Sequence, residues 1–84
     1  MTFTDGLGYF AGAVTSITFL PQVIKTWKQK SARDISLLMF IVASSNNALW
    51  IWYGIREQNP VIILTNAVVL TMALIMIYFK LRYK

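Results

Sequence analysis

The sequence contains neither cysteine nor histidine, and only three of its 84 residues are acidic. Without cysteine it can form no disulfide and offers no thiolate to a metal ion. Without histidine, the common zinc, haem and acid-base sites also lack their usual side chains. We therefore expect no metal, no cofactor and no enzymatic activity.

Charged residues are also missing from three long stretches, which cover residues 6–24, 35–55 and 58–79. Each is close to the roughly 20 residues that cross a lipid bilayer as a helix. Hydrophobic residues make up 57% of the chain, and no segment remains for a soluble domain. The sequence predicts an all-α membrane protein that forms one unit over residues 1–84. The predicted transmembrane helices cover about residues 6–26, 35–55 and 59–80. Asp34 and Ser36 are the candidate N-caps of the second helix, and Asn59 followed by Pro60 marks the start of the third.

The basic residues are distributed unequally between the two predicted membrane surfaces. Seven of them lie between the first two helices or after the third: Lys25, Lys28, Lys30, Arg33, Lys80, Arg82 and Lys84. The second loop contains Arg56 alone. Since cytoplasmic loops are enriched in basic residues, we expect the amino terminus outside and the carboxyl terminus in the cytoplasm. A short loop beside two membrane helices is a small surface for phosphate binding, so we expect no nucleic-acid partner.

Three helices pack their side chains to the centre and cannot enclose a polar passage. A pore or pocket therefore needs a second copy of the chain, inserted with the same orientation. The simplest closed assembly is a parallel two-fold homodimer, with six helices around a translocation path on the axis.

The second predicted helix carries one stripe of residues at steps of three and four: Met39, Ala43, Asn46, Trp50 and Tyr53. Trp50 lies roughly 7 Å inside the outer end of this helix, and Asn66 lies roughly 9 Å inside the outer end of the third. An indole and a carboxamide at matched depth, doubled by the two-fold axis, suit a neutral ring that is rich in hydroxyl groups. Trp50 and Asn66 are the candidate substrate-binding residues.

Two structural explanations compete with this binding site. Trp50, Trp52 and Tyr53 are also typical of the aromatic belt at a membrane surface. The carboxamides of Asn46 and Asn66 could equally hydrogen-bond between helices, as polar residues do in membrane proteins.

None of the three uncharged stretches contains an ionisable side chain of the kind that proton-coupled carriers hold within the membrane. This absence favours facilitated diffusion of an uncharged solute. Within the first stretch, Pro21 removes a backbone donor and crowds the carbonyl of Ile17, which predicts a kink or a hinge. The Gln22 carboxamide could satisfy the backbone groups that a kink frees, or bond a neighbouring helix. A hinge near one mouth fits alternating access, and a static kink is the simpler alternative.

Five segments occur together in order: "FLPQVIK", a basic loop, "ARDIS", "LWIWYGI" and "IILTNAV". In this combination the chain closely resembles the bacterial SemiSWEET sugar transporters of the SWEET and PQ-loop group over nearly its whole length. The resemblance implies a triple-helix unit in the bacterial inner membrane, a functional homodimer, and passage of mono- or disaccharides of the glucose or sucrose class without an ion gradient.

The resemblance also implies roles for individual residues. Trp50 and Asn66 correspond to the sugar pocket, and Pro21 to the hinge proline, with Gln22 beside it. It implies that Phe19 and Met39 form an inner gate and that Tyr53 contributes to an outer gate. A PQ-loop carrier of amino acids and an accessory membrane subunit without transport activity remain the alternatives.

Overall fold

The computed structural model describes residues 2–33 and 35–83 of the chain, and every regular element in these ranges is helical. Helix α1 covers Phe3–Gln29, α2 covers Leu37–Arg56 and α3 covers Pro60–Tyr83. The prediction of an all-helical chain with three long helices is confirmed.

Helix α1 is three residues longer at each end than the predicted range 6–26. The two ends of the helices are called outer and inner here according to the predicted orientation, with the amino terminus of α1 at the outer end. At this end, the Asp5 backbone N–H donates to Thr2 Oγ1 at 3.1 Å and the Thr2 N–H donates to Asp5 Oδ2 at 3.3 Å. This capping box satisfies backbone donors that the start of a helix leaves free. At the inner end, Lys30 adopts a left-handed conformation with φ of 52° and closes the helix.

Helix α2 begins at Leu37, two residues later than predicted, because Ser36 is its N-cap and accepts a hydrogen bond from the Met39 N–H at 3.2 Å. Asp34, the other predicted cap, lies outside the described residues. At the start of α3, Asn59 Oδ1 accepts from the backbone N–H groups of Val61 and Ile62 at 3.1 and 3.3 Å. The predicted start of this helix at Asn59 and Pro60 therefore agrees with the structure to within one residue.

Helix α3 lies between α1 and α2 and packs against both of them. Gly8 and Gly12 of α1 face Val61 and Thr65 of α3, so these two helices run parallel. Gly54 of α2 faces Ile62 and Ile63 of α3. A Cβ atom added at Gly54 would lie 2.9 Å from Ile62 Cγ2 and 3.0 Å from Ile63 Cγ1. Small residues thus bring α1 and α2 close to α3, which is a common arrangement in membrane helix packing.

The expectation that the three helices pack their side chains to a common centre is wrong. No residue of α1 has its Cα atom within 8 Å of an α2 Cα atom in the described part of the chain. The protomer is a flat layer whose extents are 42 × 21 × 13 Å. Because α1 and α2 each pack against α3 and not against each other, one side of the layer is left open between them.

Helices α1 and α3 are long and apolar enough to cross a membrane. The third predicted span, α2, is not among the helices that meet this criterion, and Ser44, Ser45, Asn46 and Asn47 interrupt its centre. Its crossing follows from geometry instead: since α1 and α3 run parallel, the segment between them must return to the side from which α1 started. Most large apolar side chains of α1 are exposed in the protomer, as expected for a surface that faces lipid or another copy.

Candidate functional site

A groove of about 480 Å³ lies between the inner halves of α1 and α2. Phe19 and Gln22 line it from α1, Met39 and Ala43 line it from α2, and Met76 of α3 contributes to its floor. Met76 is only 1% exposed, so the groove borders the buried centre of the protomer at this residue. The structure therefore brings the two predicted inner-gate residues and Gln22 together around one cavity.

Trp50 and Asn66 lie at the same level of the antiparallel pair formed by α2 and α3. The contact between Gly54 and Ile62 defines the register of these two helices. Four residues farther inward on each helix, or about 6 Å, are Trp50 and Asn66. The matched depth expected from the sequence is thus present within one protomer.

The Trp50 side chain is 45% exposed. Its ring meets the ring of Tyr53 edge to face, with centroids 5.4 Å apart and an angle of 85° between the planes. An edge-to-face contact is a favourable aromatic geometry and helps to hold the indole in place. An exposed indole face is suited to packing against the C–H groups of a ring-shaped ligand.

The Asn66 side chain is half-buried, and its Nδ2 group donates to the Ile62 carbonyl of its own helix at 2.9 Å. No described residue donates to Asn66 Oδ1. A carboxamide has two N–H donors and one carbonyl acceptor. Asn66 can therefore keep its bond to the helix while the oxygen and the second N–H bind a hydroxyl pair.

The inner groove and the Trp50–Asn66 pair lie at different depths. Met39 and Ala43 line the inner groove, and Trp50 follows Ala43 by two helical turns on the same face of α2. On α1, Thr18 and Thr15 similarly continue the line of Gln22 toward the outer end. The groove and the pair therefore belong to one open face of the single chain.

Helix α1 continues without interruption through Pro21. Since proline has no N–H group, the Ile17 carbonyl loses its usual partner and this turn of the helix is weakened. The hydroxyls of Thr15, Ser16 and Thr18 donate to carbonyls one turn back, a pattern that also favours bending. The bond expected of Gln22 is not observed among the described residues, and its carboxamide instead lines the groove.

Tyr53 lies at the outer end of the open face and is exposed in the protomer. The neighbouring Arg56 and Glu57 end α2, where the Glu57 N–H donates to the Tyr53 carbonyl at 3.0 Å. Tyr53 therefore lies one turn outside Trp50, between the Trp50–Asn66 pair and the second loop.

The glycines at the α1–α3 contact were not recognised in the sequence. Gly8 and Gly12 form the pattern G-x-x-x-G within "GYFAG", and both lie against α3. This spacing is a known signal for close helix packing in membranes and would have indicated that α1 has a tightly packed neighbour. It would not have identified α3 as that neighbour.

The family model described as "PQ loop repeat" matches residues 3–63. A protein from Bradyrhizobium diazoefficiens named "Sugar transporter SemiSWEET" is 42% identical over 77 residues, which cover 92% of this chain and 90% of that protein. A protein of the same name from Leptospira biflexa is 41% identical over 75 residues, covering 89% and 88% of the two chains.

A solved structure described as "Crystal structure of a bacterial homologue of SWEET transporters" has a similar fold. Its TM-score is 0.92 and its sequence identity 37%, and the match covers 99% of this chain and 100% of the other. The likeness therefore extends over the whole three-helix layer, including both faces of α2.

The helices, their apolar surfaces and the open face between α1 and α2 define a small membrane protein built from one three-helix unit. The family model, the relatives and the fold agree on its classification. The chain belongs to the PQ-loop family and, within it, to the SemiSWEET proteins.

Proposed function

We propose that the protein carries sugars across the bacterial inner membrane by facilitated diffusion, as a homodimer that works by alternating access. The observation that carries this proposal is the pair formed by the exposed Trp50 indole and the half-buried Asn66 carboxamide, at one level of the open face.

The chemistry of this pair fits a sugar. A sugar ring has C–H groups on its faces, which pack against an indole, and hydroxyls on its rim, which a carboxamide can bind as donor and acceptor. The names of the relatives from Bradyrhizobium and Leptospira support the same substrate class. Both mono- and disaccharides of the glucose or sucrose class fit this proposal.

Ion-independent transport follows from the side chains within the membrane. The uncharged stretches in α1, α2 and α3 contain no aspartate, glutamate, lysine or arginine, and the whole sequence has no histidine. Intramembrane groups of this kind commonly bind the proton in proton-coupled carriers. A carrier without them moves a neutral solute down its own gradient.

The homodimer provides the missing wall of the open face. Thr15, Thr18 and Gln22 of α1 and Asn46 and Trp50 of α2 are all exposed in the protomer. Contact of these groups with lipid tails is unfavourable, especially for the carboxamides. A second copy related by a two-fold axis along the membrane normal covers both polar stripes and encloses a path between six helices.

Alternating access requires that this path open to one side at a time. Phe19 and Met39 both line the inner groove, which supports an inner gate formed by these residues. The position of Tyr53 one turn outside Trp50 supports its role in an outer gate. The inner half of α1 swings about Pro21 to open the inner mouth. The basic residues at the inner ends of α1 and α3 support a cytoplasmic inner end, with the amino terminus outside.

The function is tested by uptake of radiolabelled glucose, sucrose and a neutral amino acid into liposomes that contain only this protein, with and without a proton gradient. We expect sugar uptake that stops at equal concentrations on the two sides and is unchanged by the gradient. Accumulation driven by the gradient would contradict ion-independent transport. Uptake of the amino acid alone would favour an amino-acid carrier, and no uptake of any solute would favour an accessory subunit.

A further inference from the structure

One side-chain hydrogen bond links the inner end of α3 to the loop between α1 and α2. Lys80 Nζ donates to the Ala32 carbonyl at 2.9 Å, across 48 positions of the chain. Every other side-chain hydrogen bond within residues 2–33 and 35–83 joins groups no more than four positions apart. The Lys80 bond is therefore the one specific polar link between separate segments in this part of the chain.

The carbonyl that Lys80 binds is structurally important for the loop. Ala32 is only 1% exposed, and its carbonyl also accepts the Ile35 N–H at 3.2 Å, which closes the turn before α2. Two further buried residues are close to this link in the sequence: Thr26 of α1, six positions before Ala32, and Phe79 of α3, directly before Lys80. A charged donor makes a stronger bond to a carbonyl than a neutral donor does. Lys80 thus holds the turn of the loop against α3.

A second attachment holds the outer half of α1. At Gly12, a Cβ atom would lie 2.8 Å from Thr65 Cβ, so the backbone of α1 lies directly on α3 at this level. Gly8 makes the same kind of contact with Val61. Pro21 follows more than two turns later, at a point where the helix has lost a backbone hydrogen bond.

From these two attachments we infer that Lys80 is a positioning residue, which holds the loop and the start of α2 on α3 while the inner half of α1 moves. The moving segment then extends from Pro21 to the loop and is bounded at both ends by contacts with α3. Because Met39 and Ala43 stay with α3, the groove opens and closes through displacement of Gln22 and the rest of inner α1. This inference rests on the proposed transport cycle, but its structural part can be tested without sugar.

The chain has no cysteine, so pairs of introduced cysteines can carry spin labels at chosen sites. Arg33→Cys with Leu81→Cys reports the distance between the loop and α3. Trp27→Cys with Leu81→Cys reports the distance between inner α1 and α3. Dilution with unlabelled protein restricts the measurement to single protomers. We expect a narrow distance distribution for the first pair and a broad or two-peaked one for the second.

Lys80→Met should broaden the distance distribution between the loop and α3, because the anchoring donor is removed. Lys80→Arg keeps a charged donor and should restore a narrow distribution. Arg82→Met is the matched control, since it removes one positive charge from the same helix end and leaves the Lys80 bond intact. Pro21→Ala should narrow the distribution of the second pair alone. An unchanged loop distance in Lys80→Met, or equal broadening in Arg82→Met, would overturn the inference.

Transport provides a second readout. Displacing one element of a two-state transition commonly changes its rate or equilibrium by a factor of about 2 to 30. We expect Lys80→Met to lower the maximal rate of sugar uptake by such a factor while half-saturation stays close to that of the unmodified protein, because Trp50 and Asn66 are untouched. If Lys80→Met frees the loop but the unmodified protein takes up no sugar, the anchor is supported and the proposed function is refuted. A normal maximal rate with a freed loop would show that the anchor has no role in transport.

Discussion

Replacing either member of the proposed sugar pair, by Trp50→Ala or Asn66→Ala, is expected to reduce sugar uptake to near the background of empty liposomes. In a two-fold dimer each substitution removes two groups from one site. Each Asn66 is proposed to make two hydrogen bonds to the sugar, so at about 1 kcal/mol for each lost bond the Asn66 change costs about 4 kcal/mol, or roughly a 1,000-fold loss. The Trp50 change removes two apolar plates and the edge-to-face contact with Tyr53.

Trp52→Ala is the matched control for Trp50→Ala. Trp52 is on the same helix and is 61% exposed, but it lies on a different face, two residues away. We expect it to contact lipid at the membrane surface, where its loss should change uptake little. If Trp50→Ala retains uptake, or if Trp52→Ala reduces it equally, then the indole at position 50 belongs to an aromatic belt and not to a binding site.

Gly12→Ala is expected to destabilise the protomer by about 1–3 kcal/mol, the usual cost of an extra methyl group in a packed interface. The new Cβ atom would meet the Thr65 side chain, whose Cβ lies at 2.8 Å. Thr65 cannot easily turn away, because it is branched at Cβ and its hydroxyl donates to the Val61 carbonyl at 2.8 Å. The loss should appear as a lower unfolding midpoint in detergent, followed by tryptophan fluorescence.

Gly6→Ala provides the corresponding control on the same helix. An added Cβ atom at Gly6 has no neighbour within 4 Å. Alanine is also a better helix former than glycine by about 1 kcal/mol, so this change should leave the unfolding midpoint equal or slightly raised. Equal stability of Gly12→Ala and Gly6→Ala would contradict a close contact between α1 and α3.

The features that the sequence predicted well depend on neighbouring residues. Uncharged stretches of bilayer length indicated the three helices, and Ser36 and Asn59 marked where α2 and α3 begin. The level of Trp50 and Asn66 was also predictable, because a short loop makes α2 and α3 antiparallel and fixes their register. The depth of each residue then follows from the rise of the helix.

The order of the helices across the layer was not predictable in this way. It depends on which helix surfaces fit each other. The contact of Gly12 with Thr65 joins α1 to α3 across more than 50 positions, and the contact of Gly54 with Ile62 joins α2 to α3. The direction of the Gln22 side chain could not be predicted either. The sequence suggested backbone groups near Pro21 as its partners, whereas in the structure Gln22 lines the open groove between α1 and α2.

The central claim is that two copies of the open face enclose one sugar site that uses Trp50 and Asn66 from both. The most direct test is sugar uptake in liposomes prepared from cells that produce the unmodified chain and the Asn66→Ala chain in varied proportions. With equal amounts and random pairing, about a quarter of the dimers contain two intact protomers. We predict that uptake falls with the square of the intact fraction, to about a quarter at equal amounts. A decline in direct proportion to the intact fraction would mean that each protomer transports alone, and would contradict the shared site.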